Sequence, residues 1–281
     1  MRLIRHGVPG AEKPGLMDAA GAMRDLSQHV DDINAAALSP ASLARLAAID
    51  PVSLPHVPDG TRLGPCVGNV GKMVCIGKNY ALHAAESGSD VPKEPMIFMK
   101  ANSAIQGPND PVIMPRGSVS TDWEVELAVV IGTAAKYVRQ EAALDHVAGY
   151  CIVNDVSERE FQQKRSGQYT KGKSCDTYGP MGPWLLTADH VPDPQALRLK
   201  TTVNGTVMQD GTTADMVFGV ARLVSYLSQF FTLYPGDVIS TGTPDGVAMG
   251  RTPPNFLRAG DIMELEVEGL GKQRQEVRAQ A

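Results

Sequence analysis

Cysteine is scarce. The four residues, Cys66, Cys75, Cys151 and Cys175, form no C-x-x-C pair, so the sequence offers neither a zinc knuckle nor a redox dithiol and fits a reducing compartment. No apolar run approaches the ~18 residues that a membrane span requires. The opening stretch MRLIRHGVPGAEKPG is interrupted by Gly and Pro where a signal peptide would need apolar residues, and a cytoplasmic protein is expected. An excess of one charge sign is also missing. With 26 basic and 31 acidic residues interspersed and a formal net charge of -5, nothing marks a surface for nucleic acid or anionic lipid, so the expected partner is a small molecule. Aromatic residues make up only 5% of the chain, and we find no internal repeat.

Turn formers are plentiful. The 28 Gly and 20 Pro predict short strands joined by loops, a β-rich α+β protein. Residues 1–70 read as a small amino-terminal domain. It has a strand at Leu3 and Ile4, a hairpin turning at Asp18 to Gly21, and a helix opened by Ser39 and Pro40, followed by a Pro-rich connector from Pro51 to Pro65. Residues 71–281 read as the larger domain. KMVCIG and PMIFMK are short strands around a helix in NYALHAAESGSDVP, and the Gly88 to Pro92 stretch suits a mobile loop. TDWEVELAVVIG and AGYCIVND read as longer strands, Ser157 and Glu160 as a capping box, Asn204-Gly205 as a hairpin turn, and Met216 to Phe231 as a helix apolar on most of its circumference.

Glu124 and Glu126 lie two apart, so on a strand they share one face. Solvated strand faces often carry such pairs, and GDIMELEVEG, where Glu264, Glu266 and Glu268 alternate with Leu265 and Val267, is of that kind. The Glu124 strand differs. Its glutamate face continues as Ala128 and Val130 while the other runs Val125, Leu127, Val129 and Ile131, so the carboxylates meet apolar surroundings on both sides. Burying them there would be costly without a cation, and a hard divalent ion is the natural one. Asp155 ends a strand, YCIVND, that is likewise apolar on both faces. His83 and Glu86, three apart on a helix, share a face, so the glutamate could orient a histidine base. GQYTKGKS, Gly167 to Ser174, satisfies the phosphate-loop pattern, but its approach FQQKRSG is polar and its exit CDTYGPMGP cannot start a helix, so the match is read as chance.

In their order along the chain these stretches resemble the fumarylacetoacetate hydrolase superfamily, over roughly Met73 to the carboxyl terminus. IGKNYALHAAE resembles the family's G-x-N-Y-x-x-H-x-x-E segment, EVELAVVIG its E-x-E strand, VNDVSEREFQ its aspartate segment, KGKS its lysine segment and STGTPDGV its T-G-T-P turn. The resemblance implies a rolled mixed β-sheet, a homodimer, and Mg²⁺ or Mn²⁺ held by Glu124, Glu126 and Asp155. It implies His83 and Glu86 as a catalytic dyad on a lid, Lys173 as an active-site lysine, and Arg159, Gln162 and Thr243 as substrate contacts. The strand CIG lacks the fourth acidic ligand of the full-length animal enzymes. KPGLMD and the Leu63 to Gly68 stretch are most similar to a bacterial subgroup of 2,4-diketo-3-deoxy-L-rhamnonate hydrolases and ureidoglycolate lyases. The expected reaction is metal-assisted hydrolysis of a carbon-carbon bond in a 2,4-diketo acid to give pyruvate and a carboxylic acid. The alternative is isomerisation or decarboxylation of a 2-oxo acid at the same site.

Overall fold

The computed structural model describes residues 1–280 as an α+β, strand-rich protein. A ten-stranded mixed sheet dominates. Across it the order of the central strands is Gly179–Thr187, Val147–Asn154, Val125–Ile131, Val238–Ser240, Met73–Gly77 and Met96–Lys100. Pairing is antiparallel among these except between Val238–Ser240 and Met73–Gly77. Beyond Gly179–Thr187 the sheet continues through Arg2–His6, Lys13–Met17 and Met23–Asp25. Residues on both sides of position 70 therefore share one set of hydrogen-bonded ladders, with Leu3 opposite Leu185. A five-stranded sheet, which includes the Asn204-Gly205 hairpin and Ile262–Val267, packs against it.

The apolar periodicity of Val125–Ile131 explains its central position. Every residue in it is buried. Val125, Leu127, Val129 and Ile131 enter one core with the helix Val220–Phe230, while Ala128 and Val130 enter a second core with Leu3, Leu16, Leu26, Ile33, Leu38 and Leu46. Each fully buried aliphatic side chain of this kind stabilises the fold by roughly 1.5–3 kcal/mol. Glu124 and Glu126 continue the second face, so the amino-terminal residues form the floor beneath the carboxylates.

Several local expectations hold. The Asp18 to Gly21 turn joins antiparallel strands, and Ser39 caps the helix Pro40–Ala47 through a bond from Ser42 N. Glu264 and Glu268 are exposed and Glu266 half-buried, a solvated face as read. Three details differ. Thr121–Asp122 forms its own two-residue strand, separated from Val125–Ile131 by Trp123 and Glu124. Ser157 is not a helix cap: it pairs with Asp122 across a short ladder and bonds back to Asp155 O, while Ser120 Oγ satisfies Glu160 N at 2.8 Å. The late helix begins at Val220, not Met216, because Met216 forms a bridge to Tyr80, and Arg222, Gln229 and Phe230 leave one side open to solvent.

Candidate active site

The strand ends converge on one point. Glu126 lies at the start of the Val125–Ile131 strand and Glu124 just before it, Asp155 follows the neighbouring Val147–Asn154, and Asp155 N donates to Glu124 O at 2.9 Å. Carboxylate oxygens of the three residues lie within 4.8 Å of one another, and all three side chains are buried. At that distance two unit charges repel by roughly 3.5 kcal/mol even at an effective dielectric constant of 20. The fold answers with three cationic side chains. Lys173 Nζ bridges Glu124 Oε2 at 2.6 Å and Asp155 Oδ2 at 2.7 Å. Lys100 Nζ reaches Asp155 Oδ1 at 2.5 Å and Val156 O at 3.1 Å. Arg159 places Nη2 2.7 Å from Glu124 Oε1, close enough for ionic attraction but poorly aligned for a hydrogen bond, and donates Nε to Asp122 Oδ2 at 2.8 Å.

With Asp122 the centre holds four carboxylates against three cations. Burial pushes the Glu124 carboxyl up, but Lys173 and Arg159 outweigh that and hold it far below the usual range. Glu126 has no such partner. Its Oε2 accepts from Ser240 Oγ at 2.5 Å and Gly242 N at 2.9 Å, and burial, Asp155 and Glu124 together push its carboxyl well above the ordinary value. A site with one uncompensated negative charge among hard oxygen donors suits a divalent cation such as Mg²⁺ or Mn²⁺. Burial opposes charge on Lys173, yet Asp155 and Glu124 raise its ammonium above the ordinary lysine value, so it is a fixed cation with one N–H left over.

His83 faces the same cavity, which encloses about 70 Å³ and is lined also by Glu124, Glu126, Arg159, Lys173 and Thr243. Its Nδ1 lies 2.8 Å from Glu86 Oε1, and Glu86 Oε2 accepts from Gly246 N at 2.9 Å. The carboxylate makes Nδ1 the protonated nitrogen of the neutral ring, which leaves the Nε2 lone pair free. Gly250 permits this arrangement, because a Cβ there would fall 2.4 Å from Glu86 Oε2. Gln162 lines the cavity and accepts from Arg159 Nη1 at 3.2 Å. The Thr243 hydroxyl is already engaged, donating to Val125 O at 2.9 Å and accepting from Gln209 Nε2 at 2.7 Å. A substrate carboxylate could take that donor only by exchange with Val125.

All nine residues singled out in the sequence thus meet at one centre. The sequence reading missed Lys100, Asp122, Asn79 and Gln209. Asp122 continues the two-residue spacing of Glu124 and Glu126, a signal that was present. Asn79 fastens the turn before the His83 helix by donating to Thr241 O at 2.8 Å and Phe218 O at 3.0 Å. Residues 167–174 form no phosphate loop: no strand precedes them, the helix Thr170–Lys173 ends before Ser174, and Lys173 is bound to carboxylates.

A family model described as the carboxyl-terminal domain of fumarylacetoacetate (FAA) hydrolase matches residues 72–278. The chain belongs to the fumarylacetoacetate hydrolase superfamily. A Burkholderia cenocepacia member named as a candidate hydrolase is 59% identical over 99% of both chains. The solved fumarylacetoacetate hydrolase from Exiguobacterium antarcticum superposes with a TM-score of 0.88 at 34% identity, covering 100% of each chain. The 2-hydroxyhepta-2,4-diene-1,7-dioate isomerase of Mycobacterium marinum superposes at 0.76 with 33% identity, covering 100% of this chain and 99% of its own. Membership supports an enzymatic role of the hydrolase, lyase or isomerase kind, and the buried carboxylate triad could hold the divalent metal typical of the family.

Proposed function

We propose that the protein hydrolyses a carbon-carbon bond in a 2,4-diketo acid, an acylpyruvate or a 2,4-diketo-3-deoxy sugar acid, releasing pyruvate and a carboxylic acid, and that it works as a cytoplasmic homodimer. The observation that carries this reading is the juxtaposition of an undercompensated carboxylate triad with a His83–Glu86 pair in one small cavity. Glu124, Glu126 and Asp155 would hold the cation, which when bound supplies Lewis acidity toward the oxygens of a 2-oxo acid. Arg159 and Lys173 hold Glu124 in place by ion pairs, and Lys173 holds Asp155.

The remaining work falls to the chain's own groups. His83 Nε2 accepts a proton from the water that adds to the carbonyl at carbon 4, and Glu86 stabilises the imidazolium. The spare N–H of Lys173 faces the oxygen on which negative charge develops. Collapse breaks the bond between carbons 3 and 4, leaving a carboxylic acid and the enolate of pyruvate, which takes up a proton.

Pyruvate release measured across acylpyruvates and diketo sugar acids, with and without Mg²⁺ or Mn²⁺, tests the reading: metal-dependent pyruvate from at least one of them is expected, and none from any would refute it. The same groups without water addition would give isomerisation or decarboxylation. The likeness at 33% identity to a dioate isomerase supports that second reading, and product analysis separates the two.

A further inference from the structure

The strand Val238–Ser240 pairs with Val125–Ile131 only as far as Ala128. Thr241 N still reaches Leu127 O at 3.1 Å, but Gly242 N turns aside to Glu126 Oε2 and the chain leaves the sheet to form the cavity wall. Val125, the residue between the two glutamates, aims its N–H and C=O toward this same edge, where no backbone meets them. Left unpaired, these buried groups would be costly. Two side chains replace the ladder: Gln209 Oε1 accepts from Val125 N at 3.1 Å, and Thr243 Oγ1 donates to Val125 O at 2.9 Å.

Gln209 is the one buried residue of the hairpin strand Thr206–Thr212, which belongs to the other sheet. Its amide has a single possible orientation, because Val125 N can only donate and Pro244 O, 2.8 Å from Nε2, can only accept. Thr201 Oγ1 donates to Oε1 at 3.0 Å, and Nε2 gives its other hydrogen to Thr243 Oγ1 at 2.7 Å. Every donor and acceptor site of the amide is used. Two glycines allow the strand to lie this close to the turn, since a Cβ on Gly211 would fall 2.6 Å from Pro244 Cβ and one on Gly246 2.1 Å from Met208 O.

Val125 N, Gln209, Thr243 and Val125 O thus form a closed ring of hydrogen bonds, and only one hydrogen in it is free to swing. That hydrogen is the Thr243 hydroxyl's. Thr243 lines the cavity, whereas Gln209 stands behind its wall. The Gln209 N–H pins the Thr243 oxygen from behind and, by donating to it, strengthens that hydroxyl as a donor.

We infer that Gln209 is a positioning residue for ligand binding, which holds and polarises the Thr243 hydroxyl so that its hydrogen passes from Val125 O to a ligand carboxylate. This rests on the cavity being the binding place of a 2-oxo acid. Metal binding should be spared, because Lys173 and Arg159 hold Glu124 while Ser240 and Gly242 hold Glu126.

The test is calorimetric titration with Mn²⁺ and then, on the Mn²⁺-loaded protein, with oxalate. Gln209→Met should keep Mn²⁺ affinity within about threefold and lose about tenfold in oxalate affinity, the scale of one hydrogen bond to a charged group. Thr243→Val should lose about as much in the wild-type background but less than about twofold further in the Gln209→Met background, since the two residues act as one unit. Gln209→Glu supplies the same cycle should the methionine variant not fold. It keeps the acceptor toward Val125 N, while its second oxygen draws the Thr243 hydrogen to itself, so Thr243→Val should again cost little. A Thr243→Val loss of the same size with and without Gln209 overturns the inference, as does unchanged oxalate binding in Gln209→Met, a matching fall in Mn²⁺ affinity, or no oxalate binding by wild type. If the cycle behaves as expected but no acylpyruvate yields pyruvate, the proposed reaction fails and this inference stands.

Discussion

At the residue scale, Glu126 is the acid the fold leaves without a cation. Its carboxyl lies above the ordinary glutamate value of about 4.3 because of burial, Asp155 and Glu124, so the folded, metal-free protein holds a proton that the unfolded chain releases. Its stability should therefore fall as pH rises from about 4.3 through the raised value. Glu126→Gln should remove that dependence, keep or raise the metal-free melting temperature, and abolish metal binding by calorimetry; a variant that still binds Mn²⁺ as wild type does would mean the ion sits elsewhere. His83→Ala should retain metal affinity and lose ~10²–10⁴-fold in water-dependent cleavage, the loss expected when a positioned base is removed. Equal hydrolysis rates would make His83 a structural residue. Lys100, 2.5 Å from Asp155 and without exposure of its side chain, stabilises by matching a buried charge. Lys100→Met should cost about 3–5 kcal/mol in denaturant unfolding, and an unchanged midpoint would refute the pairing.

The acids could be read from the sequence because two-residue spacing and apolar neighbours on both faces mark a carboxylate that water cannot reach. Lys100 was equally visible in principle. It ends the strand Met96–Lys100 as Asp155 ends YCIVND, a lone charge after an apolar run, but nothing local says which acid lies across the sheet. Gln209 left no signal at all. It is one polar residue in a mostly exposed hairpin strand, and its partners Val125 and Thr243 lie far off along the chain.

At the element scale, period and turn chemistry determined most of what was legible. The hairpin turns appeared where Asn-Gly and Asp-x-x-Gly stood, since positive φ at Asn204, Gly205 and Gly21 is what those residues allow. The capping box failed because Ser120, distant in sequence, supplies the oxygen that local spacing assigned to Ser157. The helix Ala81–Glu86 is short and leads into Ser87 and Gly88, and Ser87 and Ser89 line the cavity. We expect the 83–92 segment to close over bound ligand. Hydrogen exchange there should slow when oxalate and Mn²⁺ are added together, and identical exchange with and without them would argue against a lid.

At the scale of the whole molecule, the amino-terminal part is held to the rest by ionic ties as well as ladders. Glu12 meets Arg62 at 3.0 Å, and Arg62 meets Asp110 at 2.6 Å. Burial tends to raise the Glu12 carboxyl, but Arg62 and Arg5 lower it overall, so its contribution is present above the ordinary glutamate value and lost as pH falls through the depressed one. Acid should therefore loosen this region. Glu12→Gln should show a smaller drop in melting temperature below about pH 4.3 than wild type does, and parallel acid curves would remove Glu12 from the account. Sedimentation should give about twice the chain mass of 30.0 kDa if the protein is the expected homodimer, and a monomer at micromolar concentration would refute it.

No local pattern could reveal that Arg2–His6 pairs with Gly179–Thr187, because strand signals name no partner. That pairing also sets an order in time. At synthesis rates of about 5–20 residues per second, the first strand leaves the ribosome roughly 10–40 s before the strand it must join. During that interval Arg2–His6 has only Lys13–Met17 and Met23–Asp25 beside it, a three-stranded ribbon with one unpaired edge and Leu3 uncovered, so a chaperone that shelters nascent apolar segments should matter more to the yield of this protein than to that of a chain whose first strands complete their sheet among themselves.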